Sequence, residues 1–265
     1  MQTDHGVIVD VGGVAVALHT VDGVLVQVLE RRFRRFLNPS AEPVFQFDIS
    51  VIPNGTFDGD ADLKVHADNG RWIMQRGDFH AEWDVAERRG RIWQTLNPFA
   101  IDSILRIVHT LVLSTEGGFL LHASSVVRDG RAYLFAGPSG AGKSTIVGLA
   151  PADVTVLTDE ISYLRRTDDG YVAFGTPFAG ELSDLGEPVS APVAALFQLG
   201  RGDDNRHDRL DAAQTVQMLM RNILFFADDR ELVDHVLDTA CDFASRVPAY
   251  MLRFAPDQRV WSTIE

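Results

Sequence analysis

The chain has 265 residues, 46% hydrophobic and 23% charged, enough for one large globular domain or two small ones with an ordinary core. Its 37 acidic and 24 basic residues give a net charge of −13, which argues against nucleic acid as the main partner and against an anionic membrane surface. The single cysteine, Cys241, rules out an intrachain disulfide or a cysteine-rich metal site, and its helical surroundings suggest a small core residue. The first thirty residues hold no basic start followed by an unbroken apolar core, and no apolar run approaches the ~18 residues that cross a bilayer. The expectation is a cytoplasmic protein with no membrane partner.

Residues 1–96 read as a β-rich domain. Val7–Val11 and Val14–Leu18 flank the turn pair Gly12-Gly13. Val24–Leu29 is rich in apolar and β-branched residues and is taken with the strands. Arg31-Arg32-Phe33-Arg34-Arg35-Phe36 fits a short amphipathic helix with both phenylalanines inward; its arginines suit a solvated face better than a docking patch. Phe45–Val51 alternates strictly, as a half-buried strand does. Strands at 71–75, 79–85 and 91–96 follow, with Gly77-Asp78 and Arg89-Gly90 as the turns between them. The close spacing predicts an antiparallel sheet or a small barrel. Asn97-Pro98 then caps and opens a connecting helix over 97–117, with Ile101, Ile104, Leu105, Val108 and Leu111 on one face and Gly117-Gly118 at its end.

A second domain is expected over 118–265. Strands Phe119–Val127 and Arg131–Ala136 meet at Asp129-Gly130, and the run Gly137-Pro138-Ser139-Gly140-Ala141-Gly142-Lys143-Ser144 follows, with Thr145 next. This is G-x-x-x-x-G-K-[ST] without a mismatch, between a strand and a helix start at Ser144–Ala150. Glycines allow backbone N–H groups to approach phosphate oxygens, Lys143 can reach the β- and γ-phosphates, and the Ser144 hydroxyl is placed to ligate Mg²⁺. Strand 154–158 ends in Asp159-Glu160, two carboxylates that could divide metal binding and proton acceptance between them. A hairpin over 161–174, a strand over 194–199, helices over 211–245 and a last strand over 247–254 complete the domain, giving a fold of mixed α+β or α/β class. His122, in Leu120-Leu121-His122-Ala123-Ser124-Ser125, reads on spacing alone as a satisfied core histidine, and the other seven histidines show no metal-ligand spacing. No guanine-reading or ABC-type signature is present, and the chain is too short for a second motor domain.

Taken together, Leu121-His122-Ala123-Ser124, the loop Gly137–Ser144 and Asp159-Glu160 resemble the HPr serine kinase/phosphorylase C-terminal domain family, whose nucleotide domain is related to phosphoenolpyruvate carboxykinase. The resemblance is specific over about 117–200, and the front half is similar to short HPr-kinase-like proteins. It implies a P-loop nucleotide-binding domain of the HPr kinase/carboxykinase-like type, ATP and Mg²⁺ as cofactors, and phosphoryl transfer to a serine hydroxyl. By that resemblance Lys143 binds phosphates, Ser144 and Glu160 serve the metal, Asp159 acts as base beside the metal, and His122 lies near the transferred group. HPr kinases have a second aspartate where this chain has Glu160. Where they carry an Arg-Gly-Leu-Gly segment, this chain has Gly175-Thr176-Pro177-Phe178-Ala179-Gly180-Glu181, so neither phosphorylase activity nor HPr as acceptor is implied. The stretch 175–187 reads as a mobile loop over the site. The acceptor is a serine-bearing protein, peptide or small molecule, and the family's assemblies imply a homo-oligomer. A nucleotide-binding regulatory module without transfer is the main alternative, and a carboxykinase-like enzyme a weaker one.

Overall fold

The computed structural model describes residues 5–52, 61–178 and 186–264. It is a mixed α+β protein that divides into two compact units, residues 1–111 with 225–230 and residues 112–224 with 231–265. The sequence reading placed the boundaries at 96 and 117. The structure instead divides the helix that starts at Pro98 between the two units and returns 225–230 to the first.

In the first unit β1 (His5–Val11) and β2 (Val14–Thr20) form the expected hairpin. The 24–29 segment is not a strand but part of α1 (Gly23–Phe33). Asp22 caps it, its carboxylate accepting from the Val24 and Leu25 N–H groups at 2.9 and 3.0 Å, and Leu25, Leu29 and Phe33 recur every four residues to form the buried stripe. Val24 is left 57% exposed, so its β-branching did not decide the local structure. Phe33 and Phe36 are both buried, as the amphipathic reading required.

β3 (Phe45–Val51), β4 (Lys64–Asp68), β5 (Arg71–Arg76), β6 (Phe79–Asp84) and β7 (Arg89–Gln94) complete a seven-stranded sheet in the order β1-β2-β3-β7-β6-β5-β4. The sheet is mixed rather than antiparallel, because β3 runs parallel to both β2 and β7. Helix α1, inserted between β2 and β3, allows this: parallel neighbours need a long crossover, which a tight turn cannot supply. Strand β4 had no sequence expectation. Arg89 and Gly90 lie inside β7, and the turn falls earlier, where Arg88 takes φ 54°.

Gly90 pairs with Phe47 on one side and Trp83 on the other. A Cβ there would enter the buried Phe47 ring and come 2.7 Å from the Glu82 carbonyl oxygen. Gly90→Ala is therefore expected to cost about 1–3 kcal/mol and lower the melting temperature by roughly 4–12 °C in a thermal unfolding scan. An unchanged melt would show that the ring can move aside.

Helix α2 (Pro98–Glu116) starts as expected, with Asn97 Oδ1 accepting from the Phe99 N–H at 3.0 Å. The Asn97 amide also donates to Asp78 Oδ2 at 2.9 Å, and Arg76 grips the same buried carboxylate at 2.6 and 2.8 Å. Contrary to expectation, α2 is long and apolar enough to cross a membrane, but 72% of that stretch is buried inside the protein, as in a core helix.

In the second unit β8 (Gly118–Arg128) is the hub. It pairs antiparallel with β9 (Arg131–Ala136), β10 (Thr155–Thr158), β11 (Ile161–Thr167) and the two-residue β15 (Ile223–Leu224). β11 continues through β12 (Gly170–Phe174) to β13 (Ser190–Arg201), and β13 pairs back with β9, so these five strands close a circuit. β16 (Ala249–Phe254) lies parallel to β13, and β14 (Arg206–Arg209), which the sequence reading did not contain, edges β16. One core contains Met218 and Leu219 of α4 (Ala212–Asn222) with Ala240 and Phe243 of α5 (Arg230–Arg246). A separate core contains Ile146 and Val147 of α3 (Lys143–Gly148) with Trp261 of the C-terminal 3-10 turn. Cys241 is exposed rather than in the core, one position past the buried Ala240 on α5.

Candidate functional site

β9, β13 and β16 are parallel, with Ala136 beside Gln198 and Leu199 beside Leu252. Their carboxyl ends therefore meet at one edge of the sheet, and the glycine loop 137–142 leaves from that edge into α3. Gly140 and Gly142 take φ 76° and 103°, left-handed values that only glycine adopts freely. A Cβ on Gly142 would also lie 2.8 Å from the Phe254 ring at the end of β16. The Ala141 N–H donates to the Pro138 carbonyl at 3.1 Å and tightens the turn; Pro138, Ser139 and Gly140 are exposed, whereas Gly137 is buried. Ser144 and Thr145 follow in the first turn of α3, Ser144 half-buried and Thr145 exposed.

Lys143 opens α3, and its ammonium donates back into the loop, to the Gly137 carbonyl at 2.8 Å and the Pro138 carbonyl at 3.4 Å. Partial burial lowers its pKa from the usual lysine value, while the charge of Glu160 pushes the other way. The loop cation and the second acid of the pair, 17 positions apart in sequence, are thus electrostatic neighbours.

The acid pair sits at a bend between β10 and β11. Thr158 is paired with Ser125 and Ile161 with His122, leaving two residues on each strand between these pairs. Counting between these pairs sets Asp159 across from Ser124 and Glu160 across from Ala123, within the bend, with His122 one pair further on. The bend is held by side chains that sequence reasoning missed. Thr158 Oγ1 accepts from the Glu160 and Ile161 N–H groups at 3.3 and 3.2 Å. Thr176 Oγ1 donates to the Ile161 carbonyl at 2.8 Å, and its N–H to the Leu157 carbonyl at 3.3 Å. A threonine just before an acidic pair is a legible signal for such a turn; Thr176 has none. Asp159 is only 6% exposed.

Of the stretch 175–187, residues 179–185 lie outside the described residues. Its two described ends are fastened to β10, through Thr176 to Leu157 and through the Glu187 N–H to the Val156 carbonyl at 3.1 Å. The segment thus enters and leaves beside the acid bend. No group of three histidine, cysteine or acidic side chains is gathered around a point among the described residues.

Residues 92–265, well over half of the chain, match the model of the family described as "ScmC: SynChlorMet cassette protein ScmC". The chain belongs to the ScmC family. The match takes in the glycine loop, Lys143, the acid bend and His122, and leaves out most of the first unit. Membership of the HPr kinase family, implied by the sequence resemblance, is not what the family match gives. No curated protein matches the chain. Among solved structures, the HPr(Ser) kinase/phosphatase from Coxiella burnetii is similar at a TM-score of 0.31 and 11% identity, over 52% of this chain and 80% of that one. That likeness is slight, and the ScmC match alone sets the family.

Proposed function

We propose that this ScmC family member is a Mg²⁺- and ATP-dependent phosphotransferase acting on a serine hydroxyl of a protein, peptide or small molecule. The observation that carries the reading is the glycine loop itself, with two left-handed glycines, leaving the carboxyl edge of parallel β9, β13 and β16 into α3 with Lys143 at its end, where the charge of Glu160 also acts on the lysine. A bare anion-binding turn has no need of a carboxylate close to its cation; a phosphoryl-transfer site needs both.

The residues present fit the groups this reading requires. The loop has glycine where a Cβ would strain it, and the Lys143 ammonium, which donates to loop carbonyls in the empty protein, would exchange them for a phosphate. Bound ATP supplies the transferable phosphoryl group and Mg²⁺ the charge that neutralises it. Gly137–Thr145 would hold the phosphates, and Ser144 with Glu160 would hold the metal. Asp159, withdrawn from water at the bend, would accept the acceptor's proton, and His122, near it by register, would face the transferred group. A cytoplasmic location, where ATP and Mg²⁺ are plentiful, belongs to the same proposal.

The test is incubation of the full chain with γ-labelled ATP, with Mg²⁺ or with EDTA, in the presence of free L-serine, serine-bearing peptides or a protein lysate. Mg²⁺-dependent label on a serine hydroxyl is the expected result. Saturable ATP binding with no label on any acceptor, and no phosphate release, would replace the reading with that of a nucleotide-binding module.

A further inference from the structure

Ser124 and Ser125 are consecutive on β8, both fully buried, and neither hydroxyl has a hydrogen-bond partner among the described residues. A buried hydroxyl without a partner is a standing cost to a fold, so each calls for a reason. Their surroundings differ. Ser125 is paired with Leu134, which belongs to the core built on α4 and α5, and with Thr158. Ser124 is paired with Phe135, which belongs to the core beneath α3, and stands opposite Asp159 by the count between Thr158–Ser125 and Ile161–His122. Alternation along the strand puts Ser124 and His122 on the same face, the one that carries α3.

We propose that Ser124 is a positioning residue of the transfer reaction: in the loaded site its hydroxyl donates to the Asp159 carboxylate and fixes which oxygen is turned toward the acceptor. The inference rests on the phosphotransferase reading. A hydroxyl suits the task because it orients a carboxylate through one hydrogen bond without cancelling its charge, leaving lone pairs for the incoming proton. The acceptor's proton passes to Asp159 as its oxygen takes the phosphoryl group from ATP and ADP departs; Ser124 keeps its own proton throughout. Its contribution is orientation, which shows in turnover more than in nucleotide affinity.

Ser125→Ala is the matched control, since it removes an equally buried, equally unpartnered hydroxyl from the other face. Three quantities are measured on wild type, Ser124→Ala and Ser125→Ala: the melting temperature without nucleotide, the Kd for Mg·ATP, and phosphate release from γ-labelled Mg·ATP with water and with L-serine as acceptors. Both variants are expected to melt within about 2 °C of wild type and to bind Mg·ATP within about twofold. Ser124→Ala alone should lose about tenfold in turnover, the effect of one hydrogen bond to a charged group. Wild-type turnover in Ser124→Ala, an equal loss in Ser125→Ala, or a fall of several degrees in the empty Ser124→Ala protein would overturn the inference and leave the phosphotransferase reading standing. Absence of turnover in wild type itself would remove both.

Discussion

Replacing Lys143 with alanine is expected to weaken Mg·ATP binding by about 100-fold or more and to reduce turnover below detection, as read by isothermal titration and by release of labelled phosphate. The lysine is placed for this by its position in the chain and by its partners. It is the first residue of α3, its ammonium lies 2.8 Å from the Gly137 carbonyl, and burial already lowers its pKa. A cation held by neutral carbonyls in a partly dry setting gains more from a phosphate than one in open water. The loss should not be a folding effect. The contacts removed from the empty protein are loop hydrogen bonds, each worth about 1 kcal/mol, or a few degrees in the melt. Lys143→Arg is expected to rescue poorly, since a planar guanidinium is not shaped for a cradle around one ammonium. A Lys143→Ala protein that melts normally and still binds Mg·ATP at the wild-type Kd would remove the loop from the nucleotide site.

The strand, glycine turn and helix around 137–145 were legible in the sequence because their signals are local. Glycine spacing, a lysine and a hydroxyl between an apolar strand and a helix start need no distant partner to be recognised, and the two left-handed φ angles fall on glycines within that run. The hairpin of β1 and β2, the cap at Asn97 and the Asp129-Gly130 turn were legible for the same reason. Failures came where the outcome depends on distant residues. At 24–29 the β-branched valines pointed to a strand, but Asp22 and the stripe Leu25, Leu29, Phe33 made a helix whose apolar face is buried. That stripe was readable, and weighing period over residue type would have found it. The parallel pairing of β3 with β2 and β7 joins residues 29 and 43 positions apart, and no local pattern announces it. In the site, the action of Glu160 on Lys143 and the place of β8 across from the acid bend likewise depend on residues far apart in sequence. The place of the acid pair at a strand end was legible in the sequence, but which residues of β8 lie across from it was not.

Asp159→Asn is expected to reduce the rate of phosphoryl transfer by about 10²–10⁴-fold while leaving the Kd for Mg·ATP within about threefold. The amide keeps the shape of the carboxylate but cannot take a proton from the acceptor. Asp159 rather than Glu160 is chosen for this role on two observations. Asp159 is nearly withdrawn from solvent, at 6% exposed, whereas the charge of Glu160 acts on Lys143, which under the proposed reading assigns it to the phosphates and their metal. The variant should fold, because removing a buried charge relieves a desolvation cost even as hydrogen bonds at the bend adjust. Glu160→Gln provides the contrast. With the metal and Lys143 both deprived of a charge partner, it should weaken Mg·ATP binding and shift the Mg²⁺ requirement upward, where Asp159→Asn does neither. Measured side by side in single-turnover and binding experiments, the two variants separate proton acceptance from metal support. If Asp159→Asn transfers phosphate at the wild-type rate and Glu160→Gln does not, the roles are reversed. The bend then presents its second carboxylate to the acceptor, and Ser124 loses the partner assigned to it.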